Sequence, residues 1–598
     1  MLSYFVGGIA GLMEKNMGLK NLESEKKHKI VLILVAIYLL GVLFYTFLGS
    51  FDKILGYIPD ERLYIQAAKA FANGDGLYYN GLKSTFQKVV YSFIISPAYL
   101  VKNLHVQVRL VCIIGTLFEM TSVFPIYLIS RKLNLSRKNS LLMCLFCLSV
   151  PTFVYSMTFM SETVFLPLWL WSIYIIIILL DTDEFQVKVP VILGALGYIL
   201  YMCKEVGVVA IPVLILTKAI IVIKKRGSFK DIIPSCISLA SFSIFYLLGR
   251  FLIFSGASSS YSYEMDVPNA PSSSDKNLLY YISFAVLFYF GYLILANNIF
   301  PVLIRSNKDG LNHRLTLYIE IALIALLVVV VYKITLNEDY GIMSPRLHLR
   351  YFEPLFIPYF ICFIARLNDE EEEYFHRYTK LSFGIFLLII LMLPGPSSIG
   401  ILDSTTITPY LIPNKLAYSL FLGSPRKTVI FNMVMKAIII LVSLVELKLL
   451  KWNKKVFACV FISVAFALNV CGVYLKTVDI RRGYHVSKSD MEEMQEINDE
   501  LSKLPGQKLM IARKNMLVSE IMITFYDIKD TDVYLAEEDY DVGDETIILK
   551  ASNASKEVDV ADYDYIVYEI NLWEESDEGN ISAENVILQT EDFIVVEN

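Results

Sequence analysis

Residues 57–76 read YIPDERLYIQAAKAFANGDG and follow, after the short link SFDKILG, on an apolar run, IVLILVAIYLLGVLFYTFLG. The pair Asp60-Glu61 places two carboxylates where the chain leaves that run, and a carboxylate on an ordered loop can take the proton of a hydroxyl. Other ionisable residues stand at the ends of other apolar runs: Glu162 in FMSETVF, Lys204-Glu205 in YMCKEVGV, and Arg346, His348 and Arg350 in SPRLHLRYFEPLFIP. Carboxylates from two stretches and cations from two more, meeting on one face, suit a substrate that carries both a phosphate and a hydroxyl to be deprotonated. Arg grips phosphate bidentately with its planar fork, and Lys acts as a point charge. A divalent metal, Mg or Mn, bridged by carboxylates could supply the same positive charge. There is no G-x-x-x-x-G-K-[ST] phosphate loop, so the energy has to come from an activated donor rather than from ATP.

Each feature also has a plain structural explanation. A DE pair after an apolar run is usually a solvated loop. Glu162, beside Ser161 and Thr163, could open a capped helix. Lys204 could snorkel at an interface, and the RLHLR cations could be flanking anchors. Glu119, inside GTLFEMTSVF, reads as a structural hydrogen-bonding group facing a bundle interior. The functional reading depends on all these pieces falling on one side of a membrane.

The composition requires a membrane. Of 598 residues, 55% are hydrophobic and only 19% charged, against about 25% charged in soluble chains. Mean hydropathy is +0.53. The apolar content is organised in runs of roughly twenty residues, the length that crosses ~30 Å of hydrocarbon. This gives a polytopic α-helical membrane protein with thirteen expected spans, at 30–49, 107–129, 139–157, 163–180, 188–202, 206–223, 231–254, 278–304, 314–335, 351–366, 379–394, 428–450 and 455–475. No cleavable signal is evident in residues 1–29, which read as a cytoplasmic segment. The eight cysteines lie in or beside apolar runs and suggest neither a disulfide scaffold nor a metal site.

With the Lys-rich start inside, later inner loops such as RKLNLSRKN, KKRGSFK and KWNKK are basic. Outer loops such as SGASSSYSYEMDVPNAPSSSD are not. This satisfies the positive-inside rule. The stretch 85–101 is read as a helix along the outer interface, with Lys83 and Lys88 near its start. Residues 50–106 then form one large outer loop, in which Leu63, Ala67, Ala70 and Phe71 recur at helical spacing. Residues 476–598 also emerge outside. Their charged helix ends at Pro-Gly and is followed by β-branched runs (KLMIAR, DVYLAEE, ETIILK, YDYIVYEI, NVILQTEDFIVVE), with helix-like MLVSEIMITFYDI between the first two, a small acidic α/β domain.

The order of these features resembles the C-type glycosyltransferase superfamily (GT-C), in the branch of the protein O-mannosyltransferases and aminoarabinose transferases. The resemblance spans about residues 30–475 and rests on Asp60, Glu61, Tyr64, Ala67, Ala68 and Gly74-Asp75, on SE and K in later outer turns, and on RYFEPLFIP. It implies transfer from a polyprenyl-phosphate sugar on the outer membrane face. Asp60 would be the base for the acceptor hydroxyl and Glu61 its support or alternative. Glu162 would help hold a metal, and Lys204 with Arg346 or Arg350 would grip the lipid-linked phosphate. His348 and Lys88 are further candidates for that phosphate. Where the family carries a D-x-D pair the second loop has one carboxylate, and Phe86-Gln87-Lys88 stands where the aminoarabinose branch has an acidic-Lys-Pro-Pro entry.

The leading expectation is an inverting membrane glycosyltransferase of the plasma membrane. Its partners would be a polyprenyl-phosphate sugar donor, an extracytoplasmic acceptor (a cell-wall polymer, glycolipid or protein) and the lipid bilayer, with no nucleic acid. A polymerase or ligase using polyprenyl-diphosphate glycans would share the outer site, but should gather its Arg and His in one large late loop. A transporter or flippase should show inverted repeats with broken helices, and none is visible. A scaffold that merely anchors the outer domain would not need thirteen spans.

Overall fold

The computed structural model describes residues 24–51, 59–79, 82–83, 88–181, 186–225, 228–252, 310–330, 349–367, 384 and 425–484. Beyond these it describes positions 492, 495, 496, 499 and 503 and the segments 509–512, 546–551, 554–559, 564–569, 586–589 and 593–597. Helix α1 (Ser24–Leu48) is the first apolar helix, and α2 (Pro59–Asn73) opens the loop that follows it. Pro59 begins α2 where its missing N–H is not needed, and Asp60 and Glu61 fall in the first turn, where a helix favours negative charge. Gly74 ends it in the left-handed region (φ 82°), with Gly74 N donating to Phe71 O and Asp75 N to Ala70 O. This is the Gly-closed helix end that the Gly-Asp pair suggests.

A two-residue β pair, β1 (Tyr78–Tyr79) and β2 (Leu82–Lys83), leads to α3 (Val89–Ile95), which a 3-10 turn, Ser96–Leu100, continues. These are too short to span, consistent with an interfacial element. The run α4 (Leu104–Glu119) and α5 (Val123–Lys132) then descends as one segment. Helix α6 (Arg137–Cys147) returns and breaks by 53° into a 3-10 shelf, Pro151–Met157.

There follow α7 (Glu162–Asp181), α8 (Lys188–Cys203), α9 (Ala210–Lys225), α10 (Ile233–Leu252), α11 (Leu311–Val330), α12 (Glu353–Leu367), α13 (Pro425–Trp452) and α14 (Lys454–Tyr484). Among the described residues, seven helical runs are long and apolar enough to cross a membrane, or eight if the bent pair counts as one span. The chain is a multi-pass helical membrane protein. Expected span 188–202 is a sixteen-residue helix and 351–366 a fifteen-residue one. Span 278–304 lies outside the described residues, as does 379–394 apart from position 384.

Helix α7 is buried on nearly every side and forms the centre of the bundle, with Trp169, Leu170, Ile173 and Ile177 at 0–1% exposure. Lipid tails are as apolar as leucine, so packing rather than water exclusion holds such helices together, and small residues decide how close they come. Gly194 shows this: a Cβ there would collide with Ser238 O and the Ser241 side chain, so only glycine lets α8 and α10 approach.

At the C-terminus, β3 (Leu509–Ala512), β6 (Tyr565–Glu569), β8 (Phe593–Glu597) and β7 (Val586–Gln589) form a sheet in the order β3-β6-β8-β7, with β3 and β6 parallel and the rest antiparallel. A separate hairpin pairs β4 (Thr546–Ala551) with β5 (Ala554–Asp559), and β5 is a strand the sequence reading did not foresee. The parallel pair needs a crossover connection, as in an α/β arrangement. The expected strand DVYLAEE and helix MLVSEIMITFYDI fall outside the described residues.

Candidate active site

Three segments distant in sequence meet at one end of α7. From the first loop, the α2 face formed by Glu61, Tyr64, Ile65 and Ala68 packs inward, all four buried. That face adjoins the expected Leu63, Ala67, Ala70, Phe71 stripe. Ala67 and Ala70 are also buried, Phe71 is half-buried, and the Leu63 side chain lies outside the described residues. Polar contacts anchor the inward face. The Glu61 carboxylate accepts the Phe159 N–H at 3.1 Å, and the Tyr64 hydroxyl donates to Ser161 Oγ at 2.9 Å. Ser161 in turn lies 3.5 Å from Glu162 Oε2. Its hydroxyl therefore joins α2 to α7 rather than capping α7.

Glu162 is the first residue of α7 and is buried. Its Oε1 accepts a hydrogen bond and ion pair from Lys204 Nζ, and Arg350 Nε stands 3.9 Å away. The break between α8 and the following 3-10 turn positions Lys204, whose extended backbone (φ −157°, ψ 131°) turns it off the helix axis. Tyr351 lies beneath both cations, its ring centroid 4.5 Å from Lys204 Nζ and 5.4 Å from Arg350 Cζ. Glu162, Lys204 and Arg350 thus place two cations on one carboxylate in a site largely withdrawn from water, where charges act strongly on one another.

Lys88, at the entry to α3, pairs with Glu205 at 3.8 Å, next to Lys204 in sequence. Behind Glu61 lies Tyr91, its ring edge-on to Tyr64 at 5.3 Å. Burial pushes the Tyr91 phenol well above its ordinary range, with neighbouring Tyr99, Cys112, Glu61 and Tyr64 adding to the effect.

Of the residues expected from sequence, the structure thus joins Glu61, Glu162, Lys204 and Arg350 and brings Lys88 to their edge through Glu205. Asp60 is the second residue of α2, beside Glu61, and its side chain lies outside what is described. Arg346 and His348 lie outside the described residues. Glu162, expected as a metal ligand, is engaged by two cations. Among the described residues no group of three His, Cys, Asp or Glu side chains is placed to hold a metal ion. Sequence reasoning missed Ser161 as the link and Tyr351 as the floor under the cations. Tyr351 could have been found from its place directly after Arg350.

Residues 89–248 match a family of known proteins. It is the dolichyl-phosphate-mannose-protein mannosyltransferase family. The matched stretch runs from α3 to α10 and contains Glu162 and Lys204, so the resemblance read in the sequence holds there. No curated protein matches the chain. Among solved structures, the apo crystal structure of ArnT from Cupriavidus metallidurans aligns at 15% identity over 96% of this chain and 98% of that one, with a TM-score of 0.49. The same protein bound to undecaprenyl phosphate aligns at 14% identity over 95% and 97%, with a TM-score of 0.47. The archaeal oligosaccharyltransferase AglB from Archaeoglobus fulgidus, in complex with an inhibitory peptide and a dolichol-phosphate, aligns at 11% identity over 92% and 70%, with a TM-score of 0.42.

Proposed function

We propose that this chain is a membrane glycosyltransferase that moves one sugar, with inversion, from a polyprenyl-phosphate donor to an acceptor hydroxyl outside the cytoplasm. The observation that carries this reading is the bracketing of Glu162 by Lys204 and Arg350. It is a buried site with two cations on one carboxylate, joined to a loop helix that opens with two carboxylates. The family match over residues 89–248, whose description names a dolichyl-phosphate-mannose donor, supports the donor class.

In this mechanism the donor phosphate binds at Lys204 and Arg350, with Arg346, His348 and Lys88 as further contacts. Asp60 takes the proton of the acceptor hydroxyl as that oxygen attacks the anomeric carbon. The bond from that carbon to the phosphate oxygen breaks, and the electron pair leaves with the phosphate, where the two cations stabilise it. A single displacement inverts the anomeric configuration. Glu61 supports Asp60 by fixing α2 to the second outer turn. Glu162 holds the two cations together between turnovers. The N-terminus lies in the cytoplasm, the site and the C-terminal domain lie outside the plasma membrane, and that domain recognises the acceptor or a partner.

The test is a transfer assay with purified full-length protein in liposomes, a panel of polyprenyl-phosphate sugars, and Asp60→Asn in parallel. Release of polyprenyl phosphate by the wild type but not by the variant is expected. Transfer by Asp60→Asn at the wild-type rate removes Asp60 as base. Release of polyprenyl diphosphate would make the enzyme a polymerase or ligase. No release, with lipid-linked sugar moving across the bilayer, would make it a transporter.

A further inference from the structure

A second set of buried ionisable groups lies off the proposed reaction path. Glu119, on α4, is fully buried, and its carboxylate faces Lys476 of α14 and, with like charge, Glu353 of α12. Tyr45 of α1 also lies within electrostatic reach. The N–H and hydroxyl of Ser156 stand beside the Glu119 carboxylate without meeting hydrogen-bond geometry, the hydroxyl donating to Phe153 O at 2.9 Å. Lys476 is itself buried, with Nζ 3.7 Å from the centroid of the Tyr155 ring. Its neighbour Thr477 contacts Met157 Sδ at 3.9 Å.

Ser156, Tyr155 and Met157 all belong to the 3-10 shelf Pro151–Met157, which runs straight into the turn 158–162 that bears Phe159, Ser161 and Glu162. The shelf also meets α1, through the Tyr45 and Phe153 rings at 6.1 Å. Further along, Arg481 Nη2 donates to Leu48 O at 3.2 Å and its guanidinium stands 5.4 Å from the Phe51 ring, where the first loop begins. Gln495 Oε1 accepts the Leu104 N–H at 3.1 Å, where that loop ends. Lys476 and Thr477 therefore touch the shelf below the acidic turn, and Arg481 and Gln495 touch the two ends of the loop that carries Asp60 and Glu61.

We propose that the outer end of α14 is a brace for the candidate site, with Lys476 and Glu119 as positioning residues that grip the shelf and so fix the turn 158–162. The proposal deepens the glycosyltransferase reading and rests on it for its catalytic consequence, but its structural claim can be tested without any donor. A 3-10 segment has weaker hydrogen bonding than an α-helix and does not hold itself rigid. A buried cation set on an aromatic face and opposed to a carboxylate can hold it from outside. The same helix leads to the C-terminal strands, so occupancy of that domain would be felt at the site through Lys476.

The experiment is amide hydrogen exchange on the full-length protein in detergent micelles, with transfer kinetics alongside. Lys476→Met should speed exchange of the amides in 155–162 by about tenfold and leave α8 to α10 at the wild-type rate. It should lower kcat by a similar factor with the donor KM unchanged, and Lys476→Arg should restore both. A lone Lys476→Met leaves Glu119 buried without its cation and could fail to fold. The double variant Glu119→Gln/Lys476→Met removes both charges of the pair and relieves Glu353 of a like-charged neighbour, so it should fold. If the pair grips the shelf, the double variant also shows the loosened turn. Wild-type exchange at 155–162 in the double variant would overturn the brace, and so would a loosened turn with unchanged kcat. If the wild type transfers no sugar from any donor, the glycosyltransferase reading fails, and the exchange result still decides whether Lys476 positions the turn.

Discussion

The Glu61 carboxylate accepts the Phe159 N–H at 3.1 Å across 98 positions of sequence, with Glu61 itself fully buried. The bond closes the loop after α1 onto the turn before α7, and it gives the two residues of the DE pair different tasks. Glu61 looks inward and fixes α2, whereas Asp60, one position earlier, stands a helical step of about 100° around the axis.

Glu61→Gln keeps a carbonyl oxygen to receive the Phe159 N–H, and transfer should stay within about threefold of wild type. Glu61→Ala leaves that N–H buried and unsatisfied, a loss of about 1–3 kcal/mol in stability. Thermal unfolding and transfer rate measured on both variants check this. An inactive but fully stable Glu61→Gln would instead make Glu61 the base.

Tyr64→Phe keeps the ring against Tyr91 and removes only the hydroxyl that donates to Ser161. The expected loss is about 1 kcal/mol, with kcat lowered several-fold and donor KM unchanged. Steady-state kinetics suffice, and a changed KM with constant kcat would place Tyr64 on the donor instead.

Much of this site is legible in the sequence, and the rest is not, for physical reasons. Charged residues at the ends of apolar runs are costly enough to stand out, which is why Glu162, Lys204 and Arg350 can be found and their convergence expected. Their pairing is not visible, because it depends on how α7, α8 and α12 pack, and no local pattern encodes a contact between positions 162 and 350. The break at Pro151 was legible as a proline but not as a 53° bend, so a continuous span 139–157 was expected where α6 and a shelf exist. Hydrophobic periodicity marks Ala67 and Ala70 on the inward face of α2, where both are buried, but it does not mark Glu61. A glutamate goes inside only when a partner such as the Phe159 N–H awaits it.

Lys204→Ala leaves Glu162 with Arg350 alone at 3.9 Å. Removing one partner of a buried ion pair costs about 3–5 kcal/mol. Donor KM should rise at least tenfold as the phosphate loses a direct cation, while Arg350→Lys, which keeps charge but loses the fork, should have a smaller effect. Kinetics over a range of donor concentrations separate these. A fall in kcat alone would mean that Lys204 acts after the donor has bound.

Chelation gives the sharpest test of how the departing phosphate is neutralised. Lys204 and Arg350 already converge on Glu162, so the positive charge that a divalent ion would bring is present in side chains. Transfer measured in EDTA should therefore stay within about twofold of the untreated rate, because a cation at hydrogen-bond distance in a water-poor site stabilises developing charge without a metal. Glu162→Gln would then act through its neighbours. The two cations lose the carboxylate between them and repel, so the variant should unfold at lower temperature and show weakened, salt-sensitive donor binding. If EDTA abolishes transfer and Mg²⁺ or Mn²⁺ restores it in the wild type but not in Glu162→Gln, Glu162 is a metal ligand, and the ion pairs seen here are the arrangement that the metal displaces.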